Sequence, residues 1–216
     1  GKAKNILSPD NCKSLGQEVA RMHLITKKFK IQRQNDLSIG SWRKIFDQVK
    51  DECINIHKDL PKLIESNLTD VEKNWPKDLP RGIIHADLFN DNIFFKDDKF
   101  NGIIDFYFSC NDFYALEIAI CFNALCFDGS KNNLSFNVTK AKSFMNGYSQ
   151  LRKLNDIEKE SIKVLSQGSA LRFLLTRVFD TINTVEGAIV KVKDPMEYLV
   201  RLEFHKNSKN FEDYFF

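Results

Sequence analysis

Residues 82–105 break the pattern of the rest of the chain, and that interruption is what most narrows its fold. Gly82-Ile-Ile84 is a short apolar run. Polar residues follow, and then Asn92-Ile-Phe-Phe95 and Phe100-Asn-Gly-Ile-Ile104 flank the charged stretch Lys96-Asp-Asp-Lys99. Two β-prone runs around a four-residue charged turn predict a hairpin. Almost everything outside this segment repeats at helical spacing. The chain therefore reads as α+β and mostly helical, with one small β hairpin at its centre.

The helical readings have definite ends. The first residues read as a loop. Ser8 and Pro9 supply an N-cap and an N1 proline, and Cys12, Leu15, Val19 and Met22 carry a helix to about Lys28. A second stripe runs from Trp42 through Ile45, Phe46, Val49 and Cys53 to Ile56. Pro61 marks a break or restart. A third stripe, Leu60 to Val71, closes at Trp75-Pro76. Residues 113–127 are nearly all apolar and predict a helix buried on most of its surface. Further helices are expected from Phe136 to Leu151, from Asp156 (capped by Asn155) to about Thr184, and from Asp194-Pro195 toward His205.

Composition excludes several classes. The 216 residues are 43% hydrophobic and 28% charged, which suits a globular domain with a real core and argues against disorder. The net charge of +3 comes from lysines spread along polar helix faces, which does not make a nucleic-acid stripe. The five cysteines form no C-x-x-C pair, so they read as small core residues in a reducing cytosol. The most apolar stretch, Ala115–Phe127, is too short to span a membrane and contains Glu117 and Asn123.

The chemistry concentrates in the same central segment. It reads His85-Ala-Asp87-Leu-Phe-Asn-Asp91-Asn92, then the hairpin, then Ile103-Ile-Asp105-Phe106. Phosphoryl transfer from ATP needs a carboxylate to orient the attacking hydroxyl and take its proton. It also needs oxygen ligands that hold Mg²⁺ against the phosphates. Asp87 fits the base. Asn92 and Asp105 fit the metal positions, brought together by the paired strands. His85 is either a base or a packed residue that holds the catalytic loop, and Asp91 is either a loop residue or a further ligand.

At these residues the chain resembles the aminoglycoside phosphotransferase and choline kinase superfamily, whose protein-kinase-like fold is implied. The resemblance makes Asp87 the catalytic base, Asn92 and Asp105 the metal ligands, and ATP and Mg²⁺ the cofactors. Glu117, in Ala115-Leu-Glu-Ile-Ala119, stands where the family has an Asp that braces the catalytic loop, and it is one methylene longer. His85-Ala-Asp-Leu-Phe89, Ile104-Asp-Phe-Tyr-Phe108 with Cys110-Asn-Asp112, Ala170-Leu-Arg-Phe173, Thr176-Arg177 and Lys193-Asp-Pro195 resemble the homoserine kinase branch. That implies a cytoplasmic enzyme acting on L-homoserine, a step toward threonine.

The family's N-terminal lobe, with its Gly-rich loop and phosphate-pairing Lys, has no counterpart here. The implied layout is a C-terminal lobe over 1–216: a hinge-proximal start at 1–8, the catalytic loop and metal hairpin at 82–106, and a helical substrate subdomain at 112–206. Such a lobe alone is expected to bind ATP poorly. For an amino-acid acceptor, Arg172 or Arg177 would meet the carboxylate, or form an interhelix ion pair instead. Asp112 would contact substrate, or cap the buried helix. Tyr107 would line the pocket, or simply pack. The alternatives are a kinase for choline, an aminoglycoside or a sugar, and a non-catalytic binding module.

Overall fold

In the computed structural model, residues 1–129, 133–184 and 193–215 are described. Ser8 begins α1 (Pro9–Ile25) with a capping box. Its hydroxyl accepts the Asn11 N–H at 3.2 Å, and the Asn11 side chain accepts the Ser8 N–H at 3.3 Å. Two short helices follow, α2 (Ile39–Val49) and α3 (Leu60–Asn74), the latter with Pro61 in its first turn. The stripe read as continuous to Ile56 splits at Val49, and Cys53–Asn55 forms a separate 3-10 turn with Cys53 buried.

The first residues are not all loop. Lys2–Ala3 (β1) pairs antiparallel with Phe95 and Phe94 on the central hairpin, making it a three-stranded sheet. So short a strand has no periodicity to read, and only its long-range partner defines it. The hairpin comprises β3 (Ile93–Lys96) and β4 (Lys99–Ile103), with Lys96 opposite Lys99. The expected four-residue turn is tighter: only Asp97 and Asp98 lie between the paired lysines. Both have positive φ, 49° and 59°, as a two-residue hairpin turn requires.

The run around Gly82 is β2 (Arg81–Ile84). Its partner is β5 (Cys110–Phe113), in the register Gly82 to Asp112 and Ile84 to Cys110. The nearly all-buried α4 (Tyr114–Leu125) follows directly. A two-residue ribbon, β6 (Phe127–Asp128) with β7 (Ser135–Phe136), takes Phe136 out of the helix expected there, and α5 begins at Val138 and ends at Ser149.

The long α6 (Asp156–Asn183) opens with a second capping box, between Asn155 and Glu158, and packs against α2, α3, α4 and α7 (Met196–Asn207). Helices α1 and α5 touch backbone to backbone through two glycines. A Cβ on Gly16 would lie 2.1 Å from the Phe144 carbonyl oxygen, and one on Gly147 would lie 1.9 Å from that of Lys13. Phe122 of α4 packs ring on ring with Phe136 and Tyr214, and both of those meet Phe204. All five cysteines are buried and free. Among the described residues, no helix is long and apolar enough to cross a membrane.

Candidate active site

The loop that carries the candidate base Asp87 leaves β2 at His85 and bends sharply at Ala86, whose φ of 66° is left-handed. For a residue with a Cβ that conformation costs roughly 1–2 kcal/mol, so the surroundings must hold it. They do so from two helices. From α4, buried Glu117 accepts the backbone N–H of His85 and, at 3.2 Å, that of Ala86. From α6, buried Arg172 donates from Nη1 to the Ala86 carbonyl at 2.7 Å. The longer side chain at 117 therefore still reaches the loop.

His85 is fully buried. Its Nδ1 accepts the Asp87 N–H at 3.3 Å, and its Nε2–H donates to the Ile104 carbonyl at 2.9 Å, which ties the loop to the end of β4. Burial pushes its pKa below the usual histidine value, so the ring is the neutral tautomer with both nitrogens used. The Phe106 ring covers it at 4.7 Å.

Asp87 is half-buried. Burial raises its pKa, and the nearby charges of Arg172 and Lys193 hold it back. Asn92 donates from Nδ2 to the Asp87 carbonyl at 2.9 Å, and its own carbonyl accepts the Ile104 N–H at 3.0 Å. The first bond fixes the amide's orientation and leaves Oδ1 without a described partner. Asp105 follows Ile104 in a left-handed conformation, φ 62°. One of its carboxylate oxygens accepts the Tyr107 N–H at 3.4 Å and the other has no described partner. Asp87, Asn92 and Asp105 are thus coupled through the His85 and Ile104 backbone contacts.

These are hard oxygen donors of the kind Mg²⁺ takes, and an oriented Oδ1 beside an exposed carboxylate fits such an ion. Among the described residues, no group of three or more His, Cys, Asp or Glu could hold a metal by itself. Phosphate and water oxygens would have to complete the shell.

The remaining candidates are spread more widely. Tyr107 is exposed, beside Asp105, with its ring edge-on to Phe108. Asp91 is exposed and lies 3.7 Å from the Lys193 ammonium. Arg177 donates to the Asp194 carbonyl at 2.8 Å and to Glu197 at 3.0 Å, at the start of α7. Asp112 sits at the end of the β2–β5 ribbon away from the catalytic loop. Its oxygens accept Asn35 Nδ2 at 2.7 Å and the Phe113 N–H at 2.8 Å, and the residue at the N-cap of α4 is Phe113. Sequence reasoning missed the strained Ala86 and the positions of Lys193 and Glu197 around the site. A buried alanine at positive φ leaves no trace in composition.

The family model described as "Phosphotransferase enzyme family" matches residues 5–153. The chain belongs to this family. It is 44% identical over 204 residues to a protein of Agrobacterium fabrum named homoserine kinase, covering 94% of this chain and 62% of that one. It is 46% identical over 196 residues to one so named from Rhodospirillum rubrum, covering 91% and 60%. The chain thus spans about three-fifths of the length of these relatives. Among solved structures, a Plasmodium vivax ethanolamine kinase superposes with a TM-score of 0.63 at 18% identity, over 95% of this chain and 62% of the other. An amicoumacin kinase solved with AMP-PNP and Ca²⁺ gives 0.62 at 12% identity, over 98% and 63%. The chain therefore shares the fold of these two proteins over nearly its whole length.

Proposed function

We propose that this chain carries the catalytic machinery of a homoserine kinase, which transfers the γ-phosphoryl group of ATP to the side-chain hydroxyl of L-homoserine. The observation that carries this reading is that a half-buried carboxylate (Asp87), an oriented amide (Asn92) and an exposed carboxylate (Asp105) lie on one loop and the hairpin after it, tied together by hydrogen bonds to the backbone, in a chain 44% identical to a protein of that name. In this reading residues 1–216 are a C-terminal lobe, 82–106 the catalytic loop and metal hairpin, and 112–206 the acceptor side. ATP and homoserine would meet there in the cytoplasm.

Asp87 accepts the hydroxyl proton while the acceptor oxygen bonds to the γ-phosphorus. The bond from that phosphorus to the bridging oxygen breaks, and ADP leaves. Asn92 Oδ1 and Asp105 would hold Mg²⁺, which when bound neutralises the phosphate charge. Neutral His85, with both nitrogens engaged, positions the loop and leaves the base role to Asp87. Arg172 keeps a positive charge beside Asp87 and so favours its ionised, proton-accepting form.

The test is Asp87→Asn in the full-length protein, assayed with ATP and a panel of homoserine, serine and choline. Turnover of homoserine should be lost, by about 10²-fold or more, with nucleotide binding retained. Undiminished turnover removes Asp87 as the base, and a preference for choline or serine removes homoserine as the acceptor.

A further inference from the structure

Beside the catalytic loop lies a cleft of about 800 Å³, walled by the loop itself (Phe89, Asn90, Asp91), the β1 segment (Ala3–Asn5) and the junction of α6 with α7. Among the described residues, six charged side chains line it, three of each sign: Lys4, Arg177 and Lys193 against Asp91, Asp194 and Glu197. Phe89, Asn90 and Asp91 follow Asp87 on the same loop, which puts this wall on the segment that carries the proposed base, and Lys193 acts on Asp87 electrostatically.

We propose, resting on the homoserine reading above, that this wall recognises the acceptor as a zwitterion. Lys193 and Arg177 hold its carboxylate, and Glu197 with Asp91 holds its ammonium.

The balance of signs is the first argument. A cationic alcohol such as choline or an aminoglycoside calls for a wall of net negative charge, and an anionic sugar phosphate calls for a net positive one. A wall with equal numbers of both signs suits a ligand carrying one of each.

The second argument is the spare bonding capacity of these side chains. Lys193 is exposed, and its ammonium is 3.7 Å from Asp91, a loose pair that a ligand carboxylate can replace. Arg177 is nearly buried, stacks over Tyr198 at 4.5 Å, and donates to described residues from Nη1 alone. Its position is therefore fixed, and the guanidinium is the planar fork that carboxylates favour. Glu197 accepts from Arg177 through one oxygen, and its other oxygen has no described partner. Phe89, anchored edge-on against Phe173 at 4.9 Å, offers an apolar floor for the two methylenes between the charged end and the hydroxyl.

The experiment pairs each variant with a ligand that lacks the matching group. L-Homoserine, 3-aminopropan-1-ol (no carboxylate) and 4-hydroxybutanoate (no ammonium) are compared for binding by calorimetry and for kcat/KM with ATP and Mg²⁺. The proteins are the wild type, Lys193→Met, Arg177→Met and Glu197→Gln, with thermal melts recorded for each. Lys193→Met should weaken homoserine binding by about tenfold or more and leave the binding of 3-aminopropan-1-ol unchanged. Glu197→Gln should weaken homoserine and leave 4-hydroxybutanoate unchanged. Arg177→Met should follow Lys193→Met; since Arg177 also braces α7, the exposed Lys193 decides if Arg177→Met melts early. Losses equal for all three compounds, or none for homoserine, overturn the assignment while the kinase reading stands. If wild type prefers either truncated compound to homoserine, the homoserine reading itself fails.

Discussion

Glu117 and Arg172 grip Ala86 from opposite sides, the carboxylate taking its N–H at 3.2 Å and the guanidinium its carbonyl at 2.7 Å. The residue so held is the one that turns the chain toward Asp87. Arg172 therefore has two effects, one on loop geometry and one on the charge of Asp87, the proposed base. Arg172→Met should leave the Ala86 carbonyl unpaired, at a cost of about 1–3 kcal/mol in folding stability. It should also let burial raise the Asp87 pKa further, since Arg172 is the largest influence lowering it. The acidic limb of the kcat/KM pH profile should then move to higher pH, with activity partly recovered on the alkaline side. Arg172→Lys keeps the charge and should keep the limb. A stability loss with no movement of the limb would limit Arg172 to a structural role.

Glu117 titrates in an unusual range. Complete burial pushes its pKa up to about 7, against the opposing pull of the two backbone N–H groups and Arg172. An acid whose pKa is raised by folding binds its proton more tightly in the native state. Its stabilising contribution is complete below the unfolded value near 4.5 and is lost as pH rises through about 7. The total is on the order of 3 kcal/mol. Glu117→Gln keeps a hydrogen-bond acceptor and removes the titration. Urea unfolding between pH 4.5 and 7 should therefore lose one proton's worth of downward slope, and an unchanged slope would show that Glu117 stays ionised throughout.

Asp105→Asn separates the metal role from the fold. Position 105 is left-handed, and asparagine accepts that conformation well, so stability should change by less than about 0.5 kcal/mol. The variant exchanges an anionic ligand for a neutral one. The Mg²⁺ concentration giving half-maximal activity should rise by about tenfold or more, with kcat reduced. A Mg²⁺ titration that superimposes on wild type would remove Asp105 from the metal site.

What could be read in the sequence was local. The caps at Ser8 and Asn155, the buried α4 and the hairpin follow from residues close in the chain, and each formed near its expected place. The pairing of β2 with β5 was not legible, because its register joins Arg81 to Phe113 across 31 intervening positions and Gly82 carries no strand preference. Strand β1 failed for the same reason in a more extreme form. The candidate site divides similarly. The spacing of Asp87, Asn92 and Asp105 pointed to one loop and hairpin. Whether Arg172, Arg177 or Asp112 faced that loop depended on helix placement, which periodicity does not fix. The structure puts Arg172 on the Ala86 carbonyl, Arg177 across the neighbouring cleft wall, and Asp112 at the far end of its ribbon.

The contact between α1 and α5 predicts opposite outcomes for two Gly-to-Ala changes. At Gly147 a methyl would sit 1.9 Å from the Lys13 carbonyl oxygen, and neither backbone can yield without parting the helices. Gly147→Ala should lower stability by about 1–3 kcal/mol despite alanine's better helix propensity. At Gly40, in the first turn of α2, the same methyl meets nothing within 4 Å. Gly40→Ala should therefore raise stability, by up to about 1 kcal/mol. Chemical denaturation of both variants checks the pair, and equal effects would mean that α1 and α5 are not in backbone contact.

Acid should unfold the protein partly through His205. Its Nε2–H donates to Asn123 Oδ1 at 3.0 Å, and Nδ1 accepts the Tyr214 hydroxyl at 3.0 Å, so the ring has no free site for a second proton. The Asn123 amide cannot turn to relieve this, because its Nδ2 is committed to the Ala119 and Ser166 carbonyls. Burial, reinforced by the positive charge of Arg201, lowers the His205 pKa to about 3. His23, buried against Tyr148, is lowered to about 3 in the same way. A histidine kept neutral by folding contributes fully above the unfolded value near 6.5. That contribution is lost as pH falls toward 3, because the unfolded chain takes the proton first. Below 6.5 each of the two should remove about 1.4 kcal/mol per pH unit, opposite in sign to Glu117. His205→Gln should cost about 1–3 kcal/mol at pH 8, because one of the two hydrogen bonds is lost. It should also make the acid limb shallower by one proton in urea unfolding measured from pH 8 to 4. A limb of unchanged steepness would mean that His205 already carries a proton in the native state.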